Sequence, residues 1–244
     1  HPPFLTDASS LVHWCTCTYS TYHAYRVVAA ALMSLVRRLD FTGDRILVTG
    51  AAKGIGRAVA MLLHELGAYI IALDSDEDGL AALRMCLQRC EIYALDLRDD
   101  DGLQRTVAAA GDIDMLVNVA GVAIFEEYLE TTIAATNLQL DVNLKAAMRL
   151  TQLVAKQMVK RSGAFASASL SAGPPRTRFS IVNVSSQSST VALSNHLVYS
   201  TSKAAVRRFE HSSVNTMSYA HTAAALLVLV VCLTLSVCFS PPPP

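Results

Sequence analysis

Tyr199 and Lys203 stand four residues apart in Tyr199-Ser200-Thr201-Ser202-Lys203, which puts both side chains on one face of a helix. A free phenol titrates near roughly 10 and is a poor acid–base group at neutral pH. An ammonium one turn away favours the phenolate, so the pair is equipped to pass a proton. Ser186 precedes Tyr199 by thirteen residues and closes an apolar, strand-like run, Ile181–Val184. Asn118 and Asn143 add amides at strand and helix positions that face the same crevice.

A second set of residues suits a phosphate-bearing ligand. Thr49-Gly50-Ala51-Ala52-Lys53-Gly54-Ile55-Gly56 lies between a short apolar strand and a helical pattern. Glycines there let the backbone approach a pyrophosphate, and the helix N-terminus supplies free N–H groups and a positive dipole. Gly50, Lys53, Gly54, Ile55 and Gly56 are therefore candidate dinucleotide contacts. Asp74 closes the next strand, where a carboxylate can bind both ribose hydroxyls and favours NAD. Lys53 pulls the other way, since a cation in the glycine loop pairs with the 2′-phosphate of NADP. Asp74 also reads as a helix N-terminal acid. Asp96, followed by Leu97, ends the third strand; it reads either as an acceptor for the adenine amino group or as a turn former.

The elements that must position these residues alternate. Strands at Ile46–Thr49, Tyr69–Leu73, Ile92–Leu95, Ile113–Val117 and Ile181–Val184 are separated by helical patterns at Ile55–Leu66, Asp78–Gln88, Asp100–Ala109 and Thr136–Lys160; Val198–Phe209 follows. Near-continuous apolar strands between helices mean a parallel sheet covered on both faces. With right-handed crossovers this is an α/β doubly wound, Rossmann-like sheet, whose ligands lie at the carboxyl edge of the strands.

Composition bounds the remaining classes. The 244 residues carry 20 basic and 20 acidic side chains, a balance that excludes a nucleic-acid-binding footprint. Six cysteines form no CxxC pair and no zinc spacing with histidine, so no metal site is expected and a reduced, cytoplasmic compartment fits. Cys86 and Cys90 read as two small core hydrophobes on one helix.

The motifs together resemble the short-chain dehydrogenase/reductase family: TGxxxGxG at Thr49–Gly56, Asn118-Val119-Ala120-Gly121, Asn143, Ser186, and YxxxK at Tyr199–Lys203. The resemblance covers about residues 41–206. Ile181–Gln187 and Asn195–Tyr199 are most similar to the branch that reduces α-dicarbonyls and L-xylulose. It implies NAD(P)H-dependent reduction of a carbonyl to an alcohol. Tyr199 would be the acid, or the base in oxidation. Lys203 would assist the phenol and hold the nicotinamide ribose. Ser186 would bond the substrate oxygen, and Asn143 would hold a water behind Lys203. Gln187, Leu193 and His196 match positions lining the sugar pocket, with a neutral structural role as the alternative for His196. Homo-oligomers through the helices beginning near Thr136 and Val198 are also implied. Two departures stand out. Val119 replaces the usual second asparagine, removing a strand-stabilising bond, and Asp74-Ser75 replaces a small residue followed by arginine, so the resemblance and Lys53 favour NADP(H) while Asp74 favours NAD(H).

Three segments differ from the rest. Residues 1–40 read as an extension outside the fold, with Met33 a plausible functional start. Residues 41–210 read as the dinucleotide-binding domain, with the Ala/Ser/Gly/Pro-rich 162–179 as an inserted loop. Residues 211–244 read as an atypical tail in which Thr222–Ser240 carries no charge, a length that fits a bilayer anchor, a buried element or foreign sequence. No sixth strand, Pro-Gly turn or seventh strand is legible after Val206, so the sheet is expected to stop at its fifth strand, its C-terminal strands missing. The competing functional reading is therefore a truncated, inactive nucleotide- or partner-binding protein, with a membrane anchor in that tail as one, less favoured, form of it.

Overall fold

The computed structural model describes residues 39–166, 179–218 and 227–233. The chain divides into two compact units, His1–Phe41 and Thr42–Pro244, and every element below belongs to the second. Calls on residues 1–38 and most of 162–179 fall outside the described residues, although the helix before that insertion runs on to Ala166.

The strands are β1 (Arg45–Thr49), β2 (Tyr69–Asp74), β3 (Cys90–Ala94), β4 (Met115–Asn118), β5 (Ser180–Ser186) and β6 (Leu227–Leu233). The helices are α1 (Gly54–Glu65), α2 (Glu77–Cys86), α3 (Asp100–Ala109), α4 (Ile133–Leu140), α5 (Ala146–Ala166) and α6 (Leu197–Ser218). All pairings are parallel, in the order β3-β2-β1-β4-β5-β6. Right-handed crossovers then put α1 and α2 on one face and α3, α5 and α6 on the other. The strands are apolar because both faces are covered: Leu47, Ile71, Leu116 and Ile181 pack with Leu103, Leu150, Val154 and Met158 of α3 and α5. The order reverses between β1 and β4, which opens a crevice at the carboxyl edge.

Two expectations are corrected and a third is refined. The sheet does not stop at β5, because Leu227–Leu233 pairs with it in register from Ser180↔Leu227 to Ser186↔Leu233. This run, Leu-Val-Leu-Val-Val-Cys-Leu, is uncharged and rich in β-branched residues, so it suits the strand that covers an apolar edge. Among the described residues no helix is long and apolar enough to cross a membrane. The long helix expected over 136–160 is present within a continuous helical run, in which α4 passes into α5 through a π-helical turn, Asp141–Lys145. The two cysteines do not share a helix face. Cys86 is exposed at the end of α2, whereas Cys90 opens β3 and is buried, which pushes its thiol up to about 11. No group that could hold a metal occurs among the described residues.

Candidate active site

β5 delivers Ser186 to the carboxyl edge, α6 delivers Tyr199 and Lys203, and the π-turn delivers Asn143. Lys203 is only 4% exposed. Its Nζ donates to the Val184 carbonyl at 3.0 Å, and burial pulls its pKa down to about 8. Ser185 Oγ donates to the Lys203 carbonyl at 2.9 Å, so β5 and α6 are tied at the level of the lysine. Nζ lies 5.9 Å from the Tyr199 ring centre. An ammonium thus sits beside the phenol in a site that screens it little.

Asn143 is 2% exposed, and its amide is committed to the protein. Oδ1 accepts from the Val122 N–H at 2.7 Å, while Nδ2 donates to the Val122 carbonyl at 2.9 Å and to Ser202 Oγ at 3.0 Å. Ser202 in turn donates to the Tyr199 carbonyl at 2.7 Å. The widened turn, a common device at functional sites, therefore braces the loop after β4 against α6. A Cβ on Gly121 would come within 3.3 Å of both Asn143 Oδ1 and Lys203 Nζ, so glycine keeps this contact open.

Ser186 caps a short 3₁₀ turn, Gln187–Ser189. Its Oγ accepts from the Ser188 N–H at 3.3 Å and from the Ser188 hydroxyl at 3.0 Å. Both lone pairs are engaged, which leaves the Ser186 O–H to donate elsewhere. Gln187 is exposed at the start of the turn, and Leu193 is exposed in the loop before α6. His196 stacks on Phe125 with ring centres 4.1 Å apart, and Phe125 meets Tyr199 edge-on at 6.0 Å. His196 Nδ1 lies 2.5 Å from the Ser194 carbonyl. A carbonyl only accepts, so this nitrogen carries a proton and donates it to Ser194.

Beside this cluster a crevice of about 450 Å³ runs along the switch point. Gly50, Lys53, Ile55, Gly56, Asp74, Asp96 and Leu97 line it; Gly54, the first residue of α1, does not. Asn118 turns inward, with Nδ2 donating to Asn183 Oδ1 at 2.9 Å and Thr151 Oγ1 at 3.3 Å, and links β4, β5 and α5. Thr49 Oγ1 accepts from the Val119 and Ala120 N–H groups, each at 3.1 Å, so a hydroxyl from β1 anchors the loop where Val119 departs from the family pattern.

The crevice fits a dinucleotide. Gly50 has φ +68, and a Cβ there would sit 2.9 Å from Ala120 Cα. A Cβ on Gly56 would overlap the Gly50 carbonyl. α1 has no side-chain cap and no acid in its first turn, unlike α2 and α3, which Asp76 and Asp99 cap. Its N-terminal N–H groups are therefore available to an anion. Asp74 accepts from the Ala52 and Asp76 N–H groups, both at 3.0 Å, and so fixes the glycine loop to the end of β2. Arg98 clamps both oxygens of Asp96, and these bonds hold its carboxyl below the usual carboxylate range. Arg98 also lines the crevice.

Sequence reasoning missed four of these residues: Ser188, Ser202, Arg98 and Phe125. Ser188, Ser202 and Arg98 each lie beside a residue already singled out, whereas Phe125 carried no such signal.

A parallel sheet reversing at this point, with these glycines and this serine–tyrosine–lysine set, is the architecture of the short-chain dehydrogenase/reductase class. The family model for short chain dehydrogenases matches residues 44–235, and the chain belongs to that family. It is 41% identical over 168 residues to D-erythrulose reductase from Gallus gallus, and 37% identical over 168 residues to L-xylulose reductase from Homo sapiens. Each alignment covers 69% of this chain and 63% of the relative, so the chain spans under two thirds of the length of these relatives. A short-chain alcohol dehydrogenase structure from Sinorhizobium meliloti superposes with TM-score 0.69 at 27% identity, covering 80% of this chain and 73% of the other.

Proposed function

We propose that the protein reduces a small ketone or α-dicarbonyl to an alcohol with NAD(P)H. The observation that carries this reading is the buried Lys203 ammonium, held by a backbone carbonyl one helical turn from Tyr199. When bound, the nicotinamide supplies the hydride. Tyr199 gives its phenolic proton to the substrate oxygen, and the Lys203 charge stabilises the phenolate left behind. Ser186 donates its free O–H to the same oxygen as negative charge develops there. Asn143 and Ser202 act by position, holding the Val122 loop and α6 together.

The names of the relatives support small keto-sugars as the first substrates to assay. For the nucleotide, the fixed Asp74 carboxylate supports NAD(H) over NADP(H), because it stands where the ribose hydroxyls bind and repels a 2′-phosphate. Association into homo-oligomers through the faces of α5 and α6 belongs to the same proposal. The test is steady-state oxidation of NADH and NADPH with D-erythrulose, L-xylulose and diacetyl. NADH turnover that Tyr199→Phe abolishes supports the reading, and turnover that survives in Tyr199→Phe refutes it. Asp74→Ser should bring NADPH affinity up to that of NADH; an unchanged ratio would remove Asp74 from the assignment.

A further inference from the structure

With Tyr199 read as the proton donor, we propose that Phe125 is a specificity-determining residue. Its ring, held against His196 beside the Tyr199 phenol, selects carbonyl compounds that carry a flat aromatic group next to the reacting carbon. It disfavours polyhydroxylated chains.

Phe125 is placed rather than loosely exposed. The segment before it is pinned twice: Val122 bonds Asn143 through both its N–H and its carbonyl, and the Ile124 N–H donates to the buried Gln139 Oε1 at 3.1 Å. Its ring lies 4.1 Å from His196 and 6.0 Å, edge-on, from Tyr199. Phe125 still remains 53% exposed, so ring surface is left uncovered within reach of the reacting phenol. Leu193 and Leu197, which flank His196 in sequence, are exposed as well.

Such a wall favours one substrate chemistry. An aromatic group meeting the Phe125 ring gains roughly two- to tenfold beyond its area burial through offset or edge contacts. A hydroxyl laid on the same ring loses its water partner and gains none. The stacked pair offers a single outward polar atom, His196 Nε2, whereas a ketose brings several hydroxyls. Apolar walls reject an added hydroxyl by about a hundredfold at most, so the expected preference is graded.

The test uses the full chain saturated with oxidised nucleotide, so that neither ketone reacts, and isothermal titration of 1-phenyl-1,2-propanedione and D-erythrulose. The aryl diketone should bind at least tenfold more tightly. Phe125→Leu, which keeps apolar bulk, should narrow the gap two- to tenfold with nucleotide affinity unchanged, and Phe125→Ser should close it. Equal affinities in the parent, no binding of either ligand, or a gap that neither variant moves would overturn the proposal. Turnover with reduced nucleotide separates the two readings. A Phe125-dependent gap without Tyr199-dependent turnover sinks the reductase reading alone, and the reverse pattern sinks the role of Phe125 alone.

Discussion

The Ser188 hydroxyl donates to Ser186 Oγ at 3.0 Å, and Ser188 itself is only 5% exposed. A serine hydroxyl in open solvent rotates freely and accepts or donates as its neighbours demand. Here the acceptor capacity of Ser186 is filled by Ser188, so its own proton is left to donate to another partner.

Ser188→Ala should therefore lower kcat about threefold to tenfold, the worth of a hydrogen bond of roughly 1 kcal/mol. Nucleotide affinity should stay as it was. Ser188→Thr, which keeps the hydroxyl, should restore the rate. Equal kcat for Ser188→Ala and the parent would show that the Ser186 rotor needs no such guidance.

Lys203 is where stability and chemistry oppose each other. Its folded pKa of about 8 lies below the ordinary lysine value of 10.5, and the cause is burial. Between those two values the unfolded chain binds more protons than the folded one, so this group makes stability rise with pH through that window. Below pH 8 the full cost is present, on the order of 3 kcal/mol. Lys203→Met should remove that cost and abolish turnover. Urea unfolding at pH 7 should find the variant more stable by up to about 3 kcal/mol, with the advantage shrinking as pH is raised toward 10. A constant difference between pH 7 and 10 would show that the lysine contributes no pH-dependent cost.

The strand positions were legible because each buried strand is a short apolar run bounded by turn residues, as at Ile46–Val48 and Ile70–Leu73. The Tyr199–Lys203 pair and the glycine loop could be singled out as candidates because their residue types and spacing are visible in the sequence itself. The π-turn was not, since residues 136–160 keep helical periodicity throughout and the extra residue shows only where Asn143 meets Val122. β6 was hidden because Leu227–Leu233 lies inside a longer uncharged run, whose composition suits a bilayer helix as well as a strand. Ser185, Ser186, Ser188 and Ser189 are alike in sequence. Only geometry separates the one that ties β5 to Lys203 from the one that orients Ser186.

Asn143 closes a brace whose loss should read in both stability and function. Asn143→Leu fills similar volume but strands the Val122 N–H and carbonyl, and it leaves Ser202 without its donor. Unsatisfied buried groups cost about 1–3 kcal/mol each, so thermal unfolding should fall by several degrees. Ser202→Ala removes one bond to Asn143 and one to the Tyr199 carbonyl, and should cost less. If the two variants unfold at the same temperature, the Val122 contacts carry none of the brace.

The glycine loop gives the sharpest steric prediction. A methyl on Gly56 would overlap the Gly50 carbonyl, and that oxygen belongs to backbone whose N–H is already bonded to the Leu73 carbonyl at 2.9 Å. Neither side can give way as a flexible side chain would. The Gly50 turn must shift, and with it the backbone that a pyrophosphate approaches. Gly56→Ala should weaken NADH binding at least tenfold, measured by nucleotide fluorescence. Gly54→Ala is the matched control: a Cβ there meets nothing within 4 Å, although its φ of +56 adds strain. It should therefore cost stability more than affinity. Undiminished NADH binding by Gly56→Ala would mean that the nucleotide does not use this turn.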